Sequence, residues 1–339
     1  NKKRICVIGY SVAECMEKMR VAEEKLKNSY YETDISALND ACRELSLEKG
    51  VRRFLFEYKS QFIKPRTLDR HEATLENQIC KYDIAKILTK DITESILQIH
   101  LKTIYDQYSL SVVRKTKDVL NMYFEYVYKN NPLNNPMRDV KIPGTRLEQQ
   151  KKVKQILPED ILNDDQIKLF KITVDKDYHK NMPGTYRYGY LFYFLIATYL
   201  RIGEAQALTW KDIDFKNRTI RITKNFSPEK DRSDKSGSKT KYVLTTPKNV
   251  NSIRTVHLTN EAIWALKKQR EQIDYCDDDP LFMTEGRKIA RESNLLRALR
   301  VVLRDAGINM VNDFDLHRLR HTGISYCIRH GVPIQMVSE

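Results

Sequence analysis

Helical patterns follow one another from about residue 46 to residue 130, with no strand-like segment between them. Apolar side chains recur at i, i+3, i+4 and i+7, the spacing of one buried helix face. The first such face is formed by Val51, Phe54, Leu55 and Tyr58. A break at Pro65 and capping-competent residues at Thr93 and Ser109 divide the segment into four helices. Since Pro132 and Pro136 forbid a continuation, the sequence predicts a compact all-α domain at residues 46–142.

The second half of the chain mixes helices with short strands. Residues 184–200 are strongly apolar and predict a buried helix, and two segments alternate as strands do, at 219–223 and 254–258. Residues 212–217 are typical of a turn. Further helical patterns occupy residues 164–174, 260–273, 291–306 and 316–330. The whole chain therefore predicts a mainly α fold with a small β-hairpin or sheet, in which an α+β domain at 157–339 follows the all-α domain. The basic residues 143–156 are typical of an exposed linker.

The N-terminal residues 1–45 carry a different pattern. Residues 3–9 predict a short strand and residues 11–27 a helix, and the chain begins without Met. The apolar run at the start is too short for a signal peptide. We therefore expect residues 1–45 to be the remnant of a small N-terminal module of a longer chain.

Composition favours an anionic partner. The chain has 59 Lys and Arg against 45 Asp and Glu, a net charge of +14, which suits nucleic acid first and an acidic membrane surface second. A basic soluble protein with no polyanionic partner is the alternative on charge alone. No run of about 18 apolar residues occurs, so no membrane span is predicted. Six scattered cysteines without a C-x-x-C pair favour buried thiols in a reducing cytoplasm.

Arg201 and Glu204 are candidate site residues just after the apolar helix. An arginine fork held at this position can grip two oxygens of a phosphate, and Glu204 is close enough in sequence to orient it. The alternative is a surface salt bridge between the two side chains. The spacing alone does not separate these interpretations.

His317 and Arg320 are spaced i, i+3 on the helix predicted at 316–330, so both project from one face. A histidine beside an arginine can exchange a proton with a hydroxyl while the arginine stabilises negative charge on phosphate oxygens. The alternative is a solvated basic helix face.

Lys248 lies in a turn-rich segment shortly before the second predicted strand, within a stretch typical of a β-hairpin. Between Lys216 and Lys248 there are ten Lys and Arg against three Asp and Glu. A basic hairpin is suited to contact with DNA, and a lysine at its tip can donate a proton to a leaving oxygen. The alternative is one solvated lysine among many.

Taken together, these segments resemble the tyrosine recombinase (phage integrase) family. The segment from Leu200 to Asp214, with Arg-Ile-Gly-Glu near its start, is similar to the first arginine box of the family, and His-Arg-Leu-Arg-His-Thr from His317 matches the second. The helical domain at 46–142 resembles the core-binding domain, and residues 157–339 resemble the catalytic domain. Residues 1–45 resemble the end of an arm-binding domain.

The resemblance implies metal-free cutting and rejoining of DNA through a 3′-phosphotyrosine, with no cofactor. Arg201 and Arg320 would clamp the scissile phosphate, Lys248 would protonate the departing 5′ oxygen, His317 would act as acid or base, and Glu204 would support them. The implied partners are double-stranded DNA at attachment or core sites, enclosed by a clamp of two domains, and three further protomers in a synaptic tetramer. An accessory DNA-bending protein is a further partner that the resemblance allows. The implied location is the bacterial cytoplasm, at the nucleoid.

Two departures from the family pattern qualify this hypothesis. Tyr199 stands where the family usually has glycine, which we expect to alter packing rather than chemistry. The nucleophilic tyrosine of the family lies beyond position 339. Tyr326, only six residues after Arg320, is interpreted as a core or interface residue. We therefore expect these 339 residues to be a C-terminally shortened integrase that cannot cleave DNA by itself.

Two alternatives remain open at this stage. A non-catalytic DNA-binding relative would keep the basic surface without the tyrosine. A type IB topoisomerase would use similar chemistry without sequence preference. Salt-sensitive DNA binding is expected of all three and does not separate them.

Overall fold

The computed structural model describes residues 16–20, 41–151, 156–176, 186–233, 240–246, 253–272, 274–309 and 314–335. The chain divides into two compact units, Asn1–Lys154 and Gln155–Glu339. Residues 16–20 are helical, and the rest of the N-terminal strand and helix predicted at 3–9 and 11–27 lies outside the described residues.

The described part of the first unit is all helical apart from one isolated bridge between Ser46 and Leu88. Its α-helices are α1 (Leu47–Arg53), α2 (Pro65–Thr74), α3 (Glu94–Gln107), α4 (Leu110–Val127) and the short α5 (Arg146–Lys151). Pro65 is the first residue of α2, where its missing N–H costs nothing. The Thr93 side chain accepts a hydrogen bond from the Ile96 amide and so caps α3.

The core of this unit is formed by the apolar faces that the helical spacing predicts. Val51, Phe54 and Leu55 are buried, as are Tyr123 and Phe124 of α4. The first face is continued beyond α1 by a wider turn at Phe54–Tyr58. The buried hydroxyl of Tyr123 shares a hydrogen bond of 2.8 Å with that of Thr89, so this polar group is satisfied inside the core.

The segment predicted as an exposed linker contains α5. Thr145 precedes this helix, and its backbone amide donates to the Glu148 carboxylate at 2.6 Å, while the Glu148 amide donates to the Thr145 hydroxyl at 3.3 Å. This reciprocal pair is a capping box, which stabilises the start of a short helix. No residue of α5 is buried, whereas Pro143 before it is buried, and the assignment of residues 143–156 as a linker stays a prediction.

The second unit surrounds one apolar helix. Its helices are α6 (Asp164–Val174), α7 (Gly189–Thr198), α8 (Ile202–Ala207), α9 (Asn260–Gln272), α10 (Glu292–Asp305) and α11 (Leu316–Arg329). All ten residues of α7 are buried, because a helix that is apolar on every side can only lie inside a core. The helix predicted at 184–200 thus starts at Gly189.

Two small antiparallel sheets complete this unit. Strands β1 (Ile213–Asp214), β2 (Thr219–Ile222) and β5 (Arg254–His257) form one sheet in the order β1-β2-β5, and β3 (Asn225–Lys230) pairs with β4 (Thr240–Thr245) in the other. The turn predicted at 212–217 is partly wrong, because Ile213 pairs with Ile220 across the sheet. The mainly α fold with a small antiparallel sheet and hairpin is confirmed.

Helix α11 is fastened to the rest of the second unit by small residues. The amide of Leu162 donates to the buried hydroxyl of Thr322 at 3.2 Å. At Gly323 the backbone approaches α7 so closely that an added Cβ would lie 2.1 Å from the Ile196 carbonyl oxygen. This contact fixes how closely α11, including its first turns, packs against α7.

Candidate active site

The first part of the site is the connection between α7 and α8. Tyr199 ends α7 in a left-handed conformation with φ of 56°, and Arg201 is the N-cap residue of α8. The Glu204 carboxylate reaches back to accept the backbone amide of Arg201 at 3.1 Å. This is the return half of a capping box, so the local sequence alone brings Arg201 and Glu204 together.

Gly203 lets the hairpin approach this turn. A Cβ at this position would lie 2.5 Å from both the Asn225 side-chain oxygen and the Phe226 carbonyl oxygen. Only glycine permits so close a backbone contact. The first strand of the basic hairpin therefore packs directly on the Arg-Ile-Gly-Glu turn.

The Glu204 carboxylate is the buried centre of a charge cluster. It accepts from Arg201 Nη1 at 3.0 Å and from Arg254 Nη2 at 3.0 Å and Nη1 at 3.3 Å, and its side chain is 5% exposed. Burial by itself would raise the pKa of Glu204, but the hydrogen bonds and charge of Arg254, followed by those of Arg201, hold it below the usual range. Glu204 is thus a fixed anion that orients two arginines.

Replacing Glu204 by glutamine is expected to lower the free energy of unfolding at neutral pH by about 1–3 kcal/mol, because charge-assisted hydrogen bonds are lost. The folded-state pKa is depressed, so the carboxylate stabilises the fold above its ordinary pKa of 4.5 and loses this effect as the pH falls. Urea unfolding of both proteins between pH 7 and pH 3 should show that the difference in their free energies of unfolding becomes smaller below about pH 4.5. A difference that does not change with pH would contradict the assignment of Glu204 as a buried anion.

Arg320 enters the cluster from α11. Its guanidinium donates to the carbonyl oxygen of Tyr199, at the C-terminal end of α7, where a positive charge is favoured by the helix dipole. The pKa of Arg320 is lowered first by burial and then by the charges of Arg201 and Arg254, against the opposing charge of Glu204. Tertiary structure therefore places Arg320 beside Arg201, although 119 positions separate them.

The resulting cluster has an excess of positive charge. Three guanidinium groups face one carboxylate, and the side chain of Arg201 is 58% exposed while Glu204 is buried. Such a cluster can take up an anion with two oxygens to share, and a phosphodiester is the biological anion that arginine forks match best.

His317 lies one turn before Arg320 on α11, on the exposed side of the helix. Its amide donates to the N-cap residue Asp315 at 2.9 Å. Its ring meets that of His321 edge to face, with centroids 4.6 Å apart. Burial, followed by the electrostatic interaction with His317, lowers the pKa of His321. The i, i+3 relation of His317 and Arg320 follows from the helix, as the sequence predicts.

Lys248 lies outside the described residues. Strand β4 ends at Thr245 and β5 begins at Arg254, and these strands belong to different sheets. The role of Lys248 as the proton donor to the departing 5′ oxygen stays a prediction.

Tyr326 lies on a different side of α11 from Arg320 and is 37% exposed, so it is not a core residue. Six residues along a helix rotate the side chain by about 240° from that of Arg320. Its ring stacks on that of His330 with centroids 4.1 Å apart. His330 Nε2 in turn lies 3.4 Å from the Asp164 carboxylate.

Sequence reasoning missed two parts of the site. Arg254 was identified only as a strand residue, and its pairing with Glu204 needs the sheet to bring it to α8. The Tyr199 carbonyl was missed because a backbone acceptor carries no sequence signal. Tyr199 was noted as a departure at a glycine position, and its positive φ explains why glycine suits that position. The tyrosine ring packs near Gly323, and its hydroxyl lies 2.6 Å from Cys327 Sγ.

An α+β unit that gathers three arginines around a buried glutamate, with a histidine one turn from the last arginine, defines a phosphodiester-handling domain. The family profile described as the phage integrase family matches residues 161–339, more than half of the chain. The chain belongs to this family. It is a tyrosine-type site-specific recombinase, and its relatives include integrases of phages and other mobile elements.

Full-length relatives agree with this placement. The chain is 26% identical over 338 residues to a tyrosine recombinase XerC-like protein of Caldanaerobacter subterraneus subsp. tengcongensis, a match that covers 95% of this chain and 82% of that protein. It is 23% identical over 332 residues to the integrase of Staphylococcus phage L54a, covering 94% and 89%. The fold is similar to that of the Tn1549 transposon integrase solved in complex with transposon right end DNA, with a TM-score of 0.64, 16% identity and coverage of 85% and 89%.

The described ranges contain neither a membrane-spanning helix nor a cluster of metal ligands. No helix there is long and apolar enough to cross a bilayer. No group of three or more His, Cys, Asp or Glu residues there is arranged to hold a metal ion.

Proposed function

We propose that this recombinase cuts and rejoins double-stranded DNA at the attachment sites of its own mobile element through a 3′-phosphotyrosine. The observation that carries the proposal is the arginine cluster, in which Arg201 and Arg320 lie side by side and Glu204 is buried beneath them. Proteins of the same fold were solved in complex with DNA, including the Tn1549 transposon integrase with transposon right end DNA.

Each site residue has a role in this reaction. A tyrosine oxygen attacks the scissile phosphorus, the bond from phosphorus to the 5′ oxygen breaks, and the phosphate becomes esterified to the enzyme. Arg201 and Arg320 neutralise the charge that grows on the non-bridging oxygens. His317 exchanges the proton of the nucleophile, and Lys248 gives a proton to the departing 5′ oxygen. The covalent intermediate conserves the bond for rejoining.

We do not assign the nucleophile to Tyr326. Tyr326 is the nearest tyrosine in sequence after Arg320, but its stacking on His330 and its direction from α11 set it apart from the arginine cluster. We therefore assign Tyr326 to the exposed surface of α11, where it contacts His330.

The first unit supplies the second DNA-binding surface. It is all helical in its described part, which supports the assignment of residues 46–142 as the core-binding domain. Residues 143–156 are assigned to the connection, and 157–339 to catalysis. We assign strand exchange to a complex of four protomers. An accessory DNA-bending protein can join this complex. The reaction takes place in the bacterial cytoplasm, where the DNA substrate is found.

Covalent trapping tests the proposal. The full-length natural protein is mixed with nicked duplexes that span the two ends of its element, in the presence of EDTA, and adducts are resolved on a denaturing gel. We expect an adduct at the element ends and none on scrambled duplexes. Tight binding without an adduct would favour the non-catalytic relative. Relaxation of supercoiled plasmids that lack these ends would favour a topoisomerase.

Replacement of Tyr326 by phenylalanine is the matched control for the nucleophile. The variant is expected to form the adduct at the wild-type level, because its hydroxyl takes no part in the reaction. Loss of the adduct with retained DNA binding would show that Tyr326 is the nucleophile.

A further inference from the structure

Arg254 is a half-buried arginine at the start of β5. It is paired with Ile222 of β2 in the sheet register, and its side chain is 20% exposed. The next residue of the strand, Thr255, and Arg221 opposite it lie on the exposed face. Strand alternation therefore turns Arg254 away from Arg221 and towards the buried side of the sheet.

The Glu204 carboxylate is saturated by the two arginines. An ionised carboxylate offers about four acceptor positions. Two of the four donors are the backbone amide and Nη1 of Arg201, at 3.1 and 3.0 Å. The other two are Nη2 and Nη1 of Arg254, at 3.0 and 3.3 Å. Arg254 thus occupies half of the accepting capacity of Glu204.

This division determines how Arg201 is used. Arg201 gives Glu204 one nitrogen of its fork, and its side chain is 58% exposed, so the rest of the fork faces outward. A buried carboxylate strongly requires compensation. Without Arg254, Glu204 would accept further hydrogen bonds from Arg201. The cluster would also lose one positive charge. Both effects would weaken the grip of Arg201 on a phosphate.

We infer that Arg254 is a positioning residue for the recombination reaction: by saturating Glu204 it keeps the fork of Arg201 directed at the scissile phosphate. The inference rests on the proposed function, because it assumes that Arg201 binds the phosphate. Arg254 acts through Glu204 and Arg201 and does not touch the reacting atoms.

Four variants of the full-length protein separate this role from a structural one. Arg254→Gln removes the charge and the two bonds, and Arg254→Lys keeps the charge without the fork. The double variant, Glu204→Gln together with Arg254→Gln, also removes the Glu204 carboxylate, which would otherwise be left without Arg254. Arg221→Gln is the control, since it removes one arginine from the exposed face of the same sheet. Single-turnover cleavage at saturating DNA, the DNA dissociation constant and urea unfolding are measured for each.

We expect Arg254→Gln to cleave about 100-fold more slowly, as a misdirected reacting group does, with a DNA dissociation constant close to that of Arg221→Gln. Arg254→Lys should lie between this variant and wild type. The double variant should cleave about fivefold or more faster than Arg254→Gln alone, because residues in contact are coupled. At saturating DNA, Arg221→Gln should cleave much faster than Arg254→Gln, because its side chain lies on the other face of the sheet from Glu204.

Three results would overturn the inference. These are a rate for Arg254→Gln equal to that of Arg221→Gln, a loss of rate matched by equal losses of DNA affinity and stability, or a double variant that cleaves no faster than Arg254→Gln. Failure of the wild-type protein to form any adduct is a separate result, which rejects the proposed function instead.

Discussion

Arg320→Met is expected to lower the rate of covalent DNA cleavage by about 10²–10³-fold, the usual effect of removing one donor to a developing oxyanion. Arg320 is held by the Tyr199 carbonyl beside Arg201, so its remaining donors have a fixed direction. Methionine keeps most of the apolar stem and removes only the charge and the donors.

Stability should change little in the same variant. The lowered pKa of Arg320, caused by burial and the neighbouring arginines, means that the folded state disfavours this charge. The variant relieves that repulsion but leaves the Tyr199 carbonyl without its donor. Since a single hydrogen bond contributes about 1 kcal/mol, we expect the free energy of unfolding to stay within about 1 kcal/mol of wild type.

The measurement is single-turnover cleavage of a nicked attachment-site duplex by full-length protein, with urea unfolding alongside. Arg329→Met is the matched control, because Arg329 lies on the same helix but pairs with Asp164 at the other end. It should cleave normally. Equal losses in both variants, or a loss of rate explained by unfolding, would refute a catalytic role for Arg320.

Gly323→Ala is expected to destabilise the second unit by about 1–3 kcal/mol or more, the range of overpacked cores. Its new methyl group would lie 2.1 Å from the Ile196 carbonyl oxygen and 2.6 Å from the Tyr199 ring. The first of these neighbours is the backbone of the buried α7, which cannot move aside cheaply. Helix α11 must therefore shift outward.

The shift should also reduce catalysis, because the same helix carries Arg320 and the displaced Tyr199 carries its acceptor. Gly286→Ala is the control: an added Cβ there meets nothing within 4 Å, so the free energy of unfolding should change by no more than about 0.5 kcal/mol. Urea unfolding of both variants gives the comparison. A Gly323→Ala protein as stable as Gly286→Ala would show that α11 does not pack on α7 in this way.

Local periodicity accounts for most of the fold that could be predicted. The apolar spacing of helices α1 to α4, the proline at Pro65 and the cap at Thr93 are all present in the structure. Each of these signals involves residues that are only a few positions apart. The bounds of α6, α9, α10 and α11 agree with their patterns to within one residue. Gly307, which follows α10 with a φ of 67°, is likewise a local signal for the end of a helix. Short strands were harder, since Ile213–Asp214 owes its pairing to β2 and not to its own composition.

The sequence by itself determined the family resemblance, the mainly α fold and two local pairs of the site. Arg201 and Glu204 meet through one helix cap, and His317 and Arg320 share one helix face. Only the tertiary structure decided that Arg320 lies beside Arg201 and that Arg254 completes the shell of Glu204. Sequence patterns report contacts within a few residues, whereas these contacts span 50 to 121 positions. They exist because a buried carboxylate and the end of a buried helix each require partners that their own segments do not supply.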